Sequence, residues 1–148
     1  MIQPSEDVGS VYVKGIFRAD IQSLPEMVLF LEESLGSTGL SPTEAFDLQL
    51  AADEIFTNIA SYAYGSESGS VSIEVIRDAT TVVITFTDSG MPFDPESLPT
   101  PDISSGIEDR AIGGLGIHLA RQLTDRLSYR RDDGRNILTI EKAIGEPE

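Results

Sequence analysis

Val71-Ser72-Ile73-Glu74-Val75-Ile76-Arg77 and Thr81-Val82-Val83-Ile84-Thr85-Phe86-Thr87 are two β-branched, alternating runs separated at Asp78 and Ala79. Period-two patterning over seven residues predicts a strand, and so short a connection predicts an antiparallel hairpin. Around it, helical and strand patterns alternate irregularly instead of in repeated strand–helix–strand units. That order favours an α+β fold, a two-layer sandwich, over a doubly wound parallel sheet.

Upstream of the hairpin, Ser41 followed by Pro42 and Glu44 has the composition of a helix start, with a hydroxyl cap, a proline in the first turn and a carboxylate at the third position. The helix is expected to run to about Tyr64, with Leu48, Ala51, Ile55, Ile59 and Tyr62 as its inward stripe and Gly65 as its stop. Ile21 to Leu35 forms an earlier helix through Leu24, Val28 and Leu31, with Pro25 tolerated in the first turn. Val11 to Phe17 reads as a strand with apolar residues on both sides, which predicts burial on both faces. Downstream, four of the eight prolines fall between Pro92 and Pro101, in a stretch from Gly90 to Gly114 of little periodicity. Leu115 to Leu127 regains helical spacing behind the glycines of Gly113-Gly114-Leu115-Gly116. Strands at Ser128–Arg131 and Asn136–Lys142 are joined by a turn at Asp132, Asp133 and Gly134.

At 148 residues, 40% of them hydrophobic, the chain is sized for one domain with a substantial core. A formal net charge of −15 opposes binding to nucleic acid or to anionic lipid. Arg110, Arg121, Arg126, Arg130, Arg131 and Arg135 gather in the last third, either to offset a bound phosphate chain or as an exposed helix and turn. There is no cysteine, so neither disulfides nor thiolate metal sites are available. Met1 to Gly9 lacks the basic start and apolar run of a signal peptide, and no stretch approaches a membrane span; cytoplasm is the expected compartment.

Three elements bear on chemistry. Glu54 and Asn58, four residues apart, project from one side of the long helix, beside the stripe of Ile55 and Ile59. A carboxylate there suits taking a proton from a hydroxyl, and an amide oxygen suits a hard cation such as Mg2+; a solvated helix edge has the same composition. Asp88-Ser89-Gly90 follows a strand that should be buried, and a buried Asp requires a donor. The exocyclic amine of adenine is one, and Gly90 would let a purine lie close to the backbone; an ordinary strand-to-loop turn also uses Asp and Gly. Gly113 to Gly116 leads into a helix whose first N–H groups suit a phosphate chain. His118, the only histidine, reads as an ordinary helix residue. The chain has no Gly-x-x-x-x-Gly-Lys-Ser/Thr loop, dinucleotide fingerprint or Gly-x-Ser-x-Gly elbow.

Taken in order, Asp53-Glu54-Ile55-Phe56-Thr57-Asn58, then Asp88-Ser89-Gly90-Met91-Pro92-Phe93-Asp94-Pro95, then Gly113-Gly114-Leu115-Gly116-Ile117 resembles the GHKL (histidine-kinase-like) ATPases. Within them it is similar to the small anti-sigma-factor serine/threonine kinases of the RsbW/SpoIIAB type, over roughly Val11 to Lys142. The resemblance implies a Bergerat-type sandwich with a mixed, mostly antiparallel sheet and helices on one face. It implies an ATPase domain at 11–142, flanked by tails at 1–10 and 143–148, with residues 93–112 as a lid over ATP. Glu54 then matches the catalytic base, Asn58 the Mg2+ ligand, Asp88 and Gly90 the adenine box with Phe93 beside it, and Gly113, Gly114, Leu115 and Gly116 the phosphate contacts. Asn136 stands where many relatives place a threonine that supports the adenine pocket, and Arg110 is the candidate for stabilising the transferring phosphoryl group. The implied partners are a STAS-domain anti-anti-sigma protein, which is phosphorylated, a sigma factor and a second copy of the chain. An ATP-controlled binding module without kinase activity is the alternative.

Overall fold

The Ser70–Arg77 strand (β2) and the Thr81–Asp88 strand (β3) pair antiparallel from Val71↔Asp88 to Arg77↔Val82. Asp78 closes the turn: its N–H donates to the Thr81 carbonyl, and its carboxylate accepts from the N–H groups of Thr80 and Thr81. Around this hairpin the computed structural model describes residues 11–92 and 112–145. They form β1 (Val11–Arg18), a 3-10 turn (Ile21–Ser23), α1 (Leu24–Gly36), α2 (Pro42–Tyr62), the hairpin, α3 (Ile112–Leu123), β4 (Arg126–Asp132) and β5 (Arg135–Ala143). The sheet order is β1-β2-β3-β5-β4, with antiparallel pairing at every described step. The expected α+β sandwich is present, and its sheet is more regular than the mixed one anticipated.

Alternation fixes which face is dry. Val71, Ile73 and Val75 on β2, Val82, Ile84 and Phe86 on β3, and Leu138 and Ile140 on β5 are buried against Met27, Leu31, Leu48, Ile55, Phe56 and Ile117 from the three helices. A Leu or Ile at such a position contributes roughly 1.5–3 kcal/mol through burial. The opposite face carries no helix among the described residues. Double-sided burial of β1 is therefore not found: β1 is an edge strand, Val13 and Phe17 turn toward the helices, and Tyr12 and Ile16 are 43% and 68% exposed. An apolar residue on each side cannot by itself tell a central strand from an edge strand with one open face.

Ser41 caps α2 as its composition predicts. Its hydroxyl accepts from Glu44 N–H, and Glu44 Oε1 accepts from Ser41 N–H. The second oxygen of Glu44 accepts from Gly145 N–H, while Ile144 N–H reaches Thr80 carbonyl, so the chain stays bonded beyond β5. Tyr62, at the end of the expected stripe, is 43% exposed yet faces the same way as Ile55 and Ile59, and Ala52 and Phe56 join the stripe as fully buried residues. The last helix is displaced from its expected span of Leu115 to Leu127. It starts at Ile112, enclosing the glycines, and ends at Leu123, whose carbonyl accepts from Lys142 Nζ. Asp125 N–H already bonds Glu141 carbonyl, and Leu127 pairs with Ile140 inside β4, so sheet pairing wins over helical spacing there. None of the described helices is long and apolar enough to cross a membrane.

Candidate functional site

Where α2, α3 and the β3–β5–β4 half of the sheet meet, a cavity opens between the layers. Ile55, Ile59, Ile117 and Leu138 supply apolar walls, and Asn58, Asp88, Tyr129 and Asn136 bring polar atoms. A mostly apolar cleft with a few fixed polar groups is the usual form of a small-molecule site.

Asn58 is 5% exposed, because it lies one turn beyond Glu54 on the helix face turned to the cavity. Its Oδ1 is buried and has no hydrogen-bond partner among the described residues. An orphaned buried acceptor costs about 1–3 kcal/mol, so it marks a place where a group outside the described residues would complete the bonding. A carbonyl oxygen is also the donor atom a hard cation takes, so the residue suits Mg2+. Among the described residues no cluster of three His, Cys, Asp or Glu side chains could hold a metal ion. Asn58→Leu, which removes the orphaned group at similar volume, is expected to raise the melting temperature of the free protein by a few degrees and to abolish the Mg2+-dependent part of nucleotide affinity. Thermal unfolding with and without nucleotide and Mg2+ checks both.

Glu54 is partly exposed and makes no hydrogen bond or ion pair among the described residues, leaving its carboxylate available. Asp53 beside it is held differently. Burial raises its pKa above the usual carboxylate value, Glu54 and Glu32 add to the rise, and a hydrogen bond from Gln49 Nε2 at 3.2 Å opposes it. Because the folded value lies above the unfolded one, ionising Asp53 weakens the fold as pH climbs from the unfolded carboxylate range through the raised folded value. Asp53→Asn is accordingly expected to raise the melting temperature by about one or two degrees at neutral pH and to leave it unchanged near pH 3, in a pH series of thermal melts.

Asp88 ends β3 and is 5% exposed. Its Oδ1 accepts from Gly90 N–H at 2.8 Å and from Asn136 Nδ2 at 2.9 Å, and no described donor reaches Oδ2. Asn136 comes to it through the β3–β5 register, in which the two residues are direct partners. Gly90 also has a packing reason that its motif does not suggest. A Cβ there would stand 2.1 Å from the Ala63 carbonyl oxygen, so the missing side chain makes room for the end of α2. Met91 N–H donates to that same oxygen at 2.7 Å.

The Gly113–Gly116 run forms the first turns of α3 rather than a loop before it, and Ile117, one residue on, lines the cavity. The first N–H groups of a helix have no intrahelical acceptor, so this end of α3 presents donors and the positive pole of its dipole. Phe93, Arg110 and residues 93–111 of the expected lid lie outside the described residues. Of the arginine group, Arg121, Arg126, Arg130, Arg131 and Arg135 are all exposed residues, and Arg131 reaches the Asp88 turn. Tyr129 and Ala63, which line the cavity, and Tyr64, which bonds Ser89 N–H, are not among the sequence candidates, and Arg131 is there only as one of a basic group. Each acts through partners distant in the chain, and no local motif marks them.

The match to known proteins covers the same ground as this cavity. The model of the histidine kinase-like ATPase domain matches residues 17–142. The serine/threonine-protein kinase BtrW of Bordetella bronchiseptica is 32% identical over 96 residues, covering 64% of this chain and 68% of that protein. The serine-protein kinase RsbW of Bacillus cereus is 30% identical over 105 residues, covering 68% and 66%. In fold, the chain resembles the RsbU and RsbW domains of a Mycobacterium tuberculosis protein, with a TM-score of 0.63 at 16% identity over 92% of this chain and 33% of that one. The histidine kinase AdeS of Acinetobacter baumannii gives 0.52 at 16% identity, over 90% of this chain and 68% of that one. A family match from the first strand to the last, kinases among its relatives and a cavity built from the matching residues lead to one assignment: the chain belongs to the histidine kinase-like ATPase domain family.

Proposed function

We propose that this chain is an ATP-dependent serine/threonine protein kinase whose cavity takes the adenine, with Asp88 accepting from its exocyclic amine and the Gly113–Gly116 turn of α3 meeting the phosphates. The observation that carries the reading is the pair of unfilled acceptors in one cavity, the orphaned Asn58 Oδ1 and the open Oδ2 of Asp88. A nucleotide with its metal fits both: a 6-amino group donates to a carboxylate, and a cation accepts an amide oxygen. Bound at Asn58, Mg2+ would neutralise charge on the phosphates. Glu54, one turn away and without a partner among the described residues, orients the attacking hydroxyl and takes its proton. Arg110 is assigned to the transferring phosphoryl group. The relatives' names as serine and serine/threonine-protein kinases favour a protein hydroxyl as acceptor over hydrolysis. By the same relationship the substrate is a STAS-domain anti-anti-sigma protein, with a sigma factor as the alternate partner and a homodimer as the working form in the cytoplasm.

The test is transfer of the γ-phosphate from labelled ATP, with Mg2+, to STAS-domain proteins of the same cell. Labelling of one of them supports the kinase. Tight ATP binding with no labelled acceptor favours instead a nucleotide-controlled binding module, and absence of ATP binding removes both readings.

A further inference from the structure

The turn from Asp88 to Met91 is held from both layers. From the end of α2, Ala63 carbonyl accepts from Met91 N–H, and Tyr64 hydroxyl accepts from Ser89 N–H at 2.8 Å while donating to Ser70 carbonyl at 2.6 Å. From the sheet, Arg131 Nη1 donates to Gly90 carbonyl at 2.7 Å, and Asn136 Nδ2 donates to Met91 carbonyl at 2.7 Å as well as to Asp88 Oδ1. The Asn136 side chain has its own lock: Oδ1 accepts from Tyr129 hydroxyl at 2.6 Å and from Arg131 Nη1 at 3.1 Å. Reversing the amide would turn its oxygen toward the Asp88 carboxylate and the Met91 carbonyl and its NH2 toward two donors, so one orientation is enforced.

Resting on the nucleotide reading, we propose that Arg131 and Asn136 are positioning residues that set base specificity: they hold Asp88 so that its free oxygen faces the cavity as an acceptor, selecting a 6-amino purine over a 6-oxo purine. With Oδ1 engaged by Gly90 and Asn136, the carboxylate cannot swing aside from a base that presents a carbonyl in place of the amine. A site built around a fixed acceptor rejects the mismatched analogue strongly, because the acceptor is then buried unpaired against another acceptor. If the carboxylate is free to rotate, most of that penalty is relieved. Selectivity therefore depends on residues that need not touch the base.

Adenosine and inosine diphosphates, which differ at this 6-position, are the probes, with dissociation constants measured by calorimetry on the full chain. Wild type is expected to favour ADP over IDP by roughly 100-fold or more. Arg131→Met and Asn136→Leu are expected to weaken ADP by about 10-fold while leaving IDP nearly unchanged, so the ratio collapses toward the single-digit range. A general loosening of the fold would weaken both ligands together and leave the ratio intact, which separates positioning from stability. Arg131 is an exposed residue, so its variant decides the matter if Asn136→Leu does not fold. An unchanged ratio in folded Arg131→Met overturns the clamp while ADP binding by wild type still upholds the nucleotide site. Wild type that binds neither diphosphate overturns the site and the clamp together.

Discussion

Glu54→Gln is expected to lower phosphoryl transfer to the protein acceptor by about 10²- to 10⁴-fold while leaving ATP affinity within about twofold of wild type. The substitution keeps the size and hydrogen-bonding reach of the side chain and removes only its capacity to take a proton. Little else should change, because Glu54 is partly exposed and makes no hydrogen bond or ion pair among the described residues. The cavity walls at Ile55 and Ile59 and the polar groups at Asn58 and Asp88 do not depend on it. Asp53→Asn is the internal control. That carboxyl is already engaged by Gln49, and its loss should leave transfer intact. Single-turnover labelling alongside nucleotide titration measures both quantities. Equal loss of transfer in the two variants would remove Glu54 from the role of base.

Gly90→Ala is expected to be the most damaging single methyl in the described chain. The added carbon would lie 2.1 Å from the Ala63 carbonyl oxygen, 2.5 Å from its carbonyl carbon and 2.7 Å from its Cβ. All three belong to the end of α2 or its side-chain root, so no rotamer change relieves the contact. The turn must move away, and the bond from Met91 N–H to Ala63 carbonyl breaks with it. Overpacking against backbone costs about 1–3 kcal/mol, and the lost buried hydrogen bond adds about 1. A fall in melting temperature of about 5–10 °C follows for a domain of this size. Because Gly90 N–H also supports Asp88, ADP affinity should drop by more than about tenfold. Gly36→Ala is the matched control: a Cβ added there would meet nothing within 4 Å and its φ is not positive, so stability should hold or rise slightly. A folded Gly90→Ala protein with wild-type melting and affinity would refute the packing role given to this glycine.

These two residues also mark how far a sequence carries. The hairpin, the Ser41 capping box, the Glu54–Asn58 spacing and the Asp88-x-Gly90 turn are all legible, because each rests on contacts within a few residues or on a short period in the chain. The reason for Gly90 is not, since its obstacle is Ala63, a residue 27 positions earlier that only chain folding brings beside it. Asn136 is marked in the sequence by resemblance alone, and its bond to Asp88 depends on β5 lying beside β3, a register set by tertiary packing over a separation of 48 residues. The boundaries of α3 differ from the expected ones for a related reason: glycines weaken the local helix signal at its start, and sheet pairing of Leu127 ends it earlier than apolar spacing suggests. By itself, then, the sequence determined the elements, the α+β class and the candidate residues for the chemistry, because those are written in local period and side-chain type. Only the tertiary structure decided which face of β1 stays open, which carbonyl excludes a side chain at Gly90, and how Tyr129, Arg131 and Asn136 lock Asp88, because long-range register and close packing leave no periodic trace in the chain.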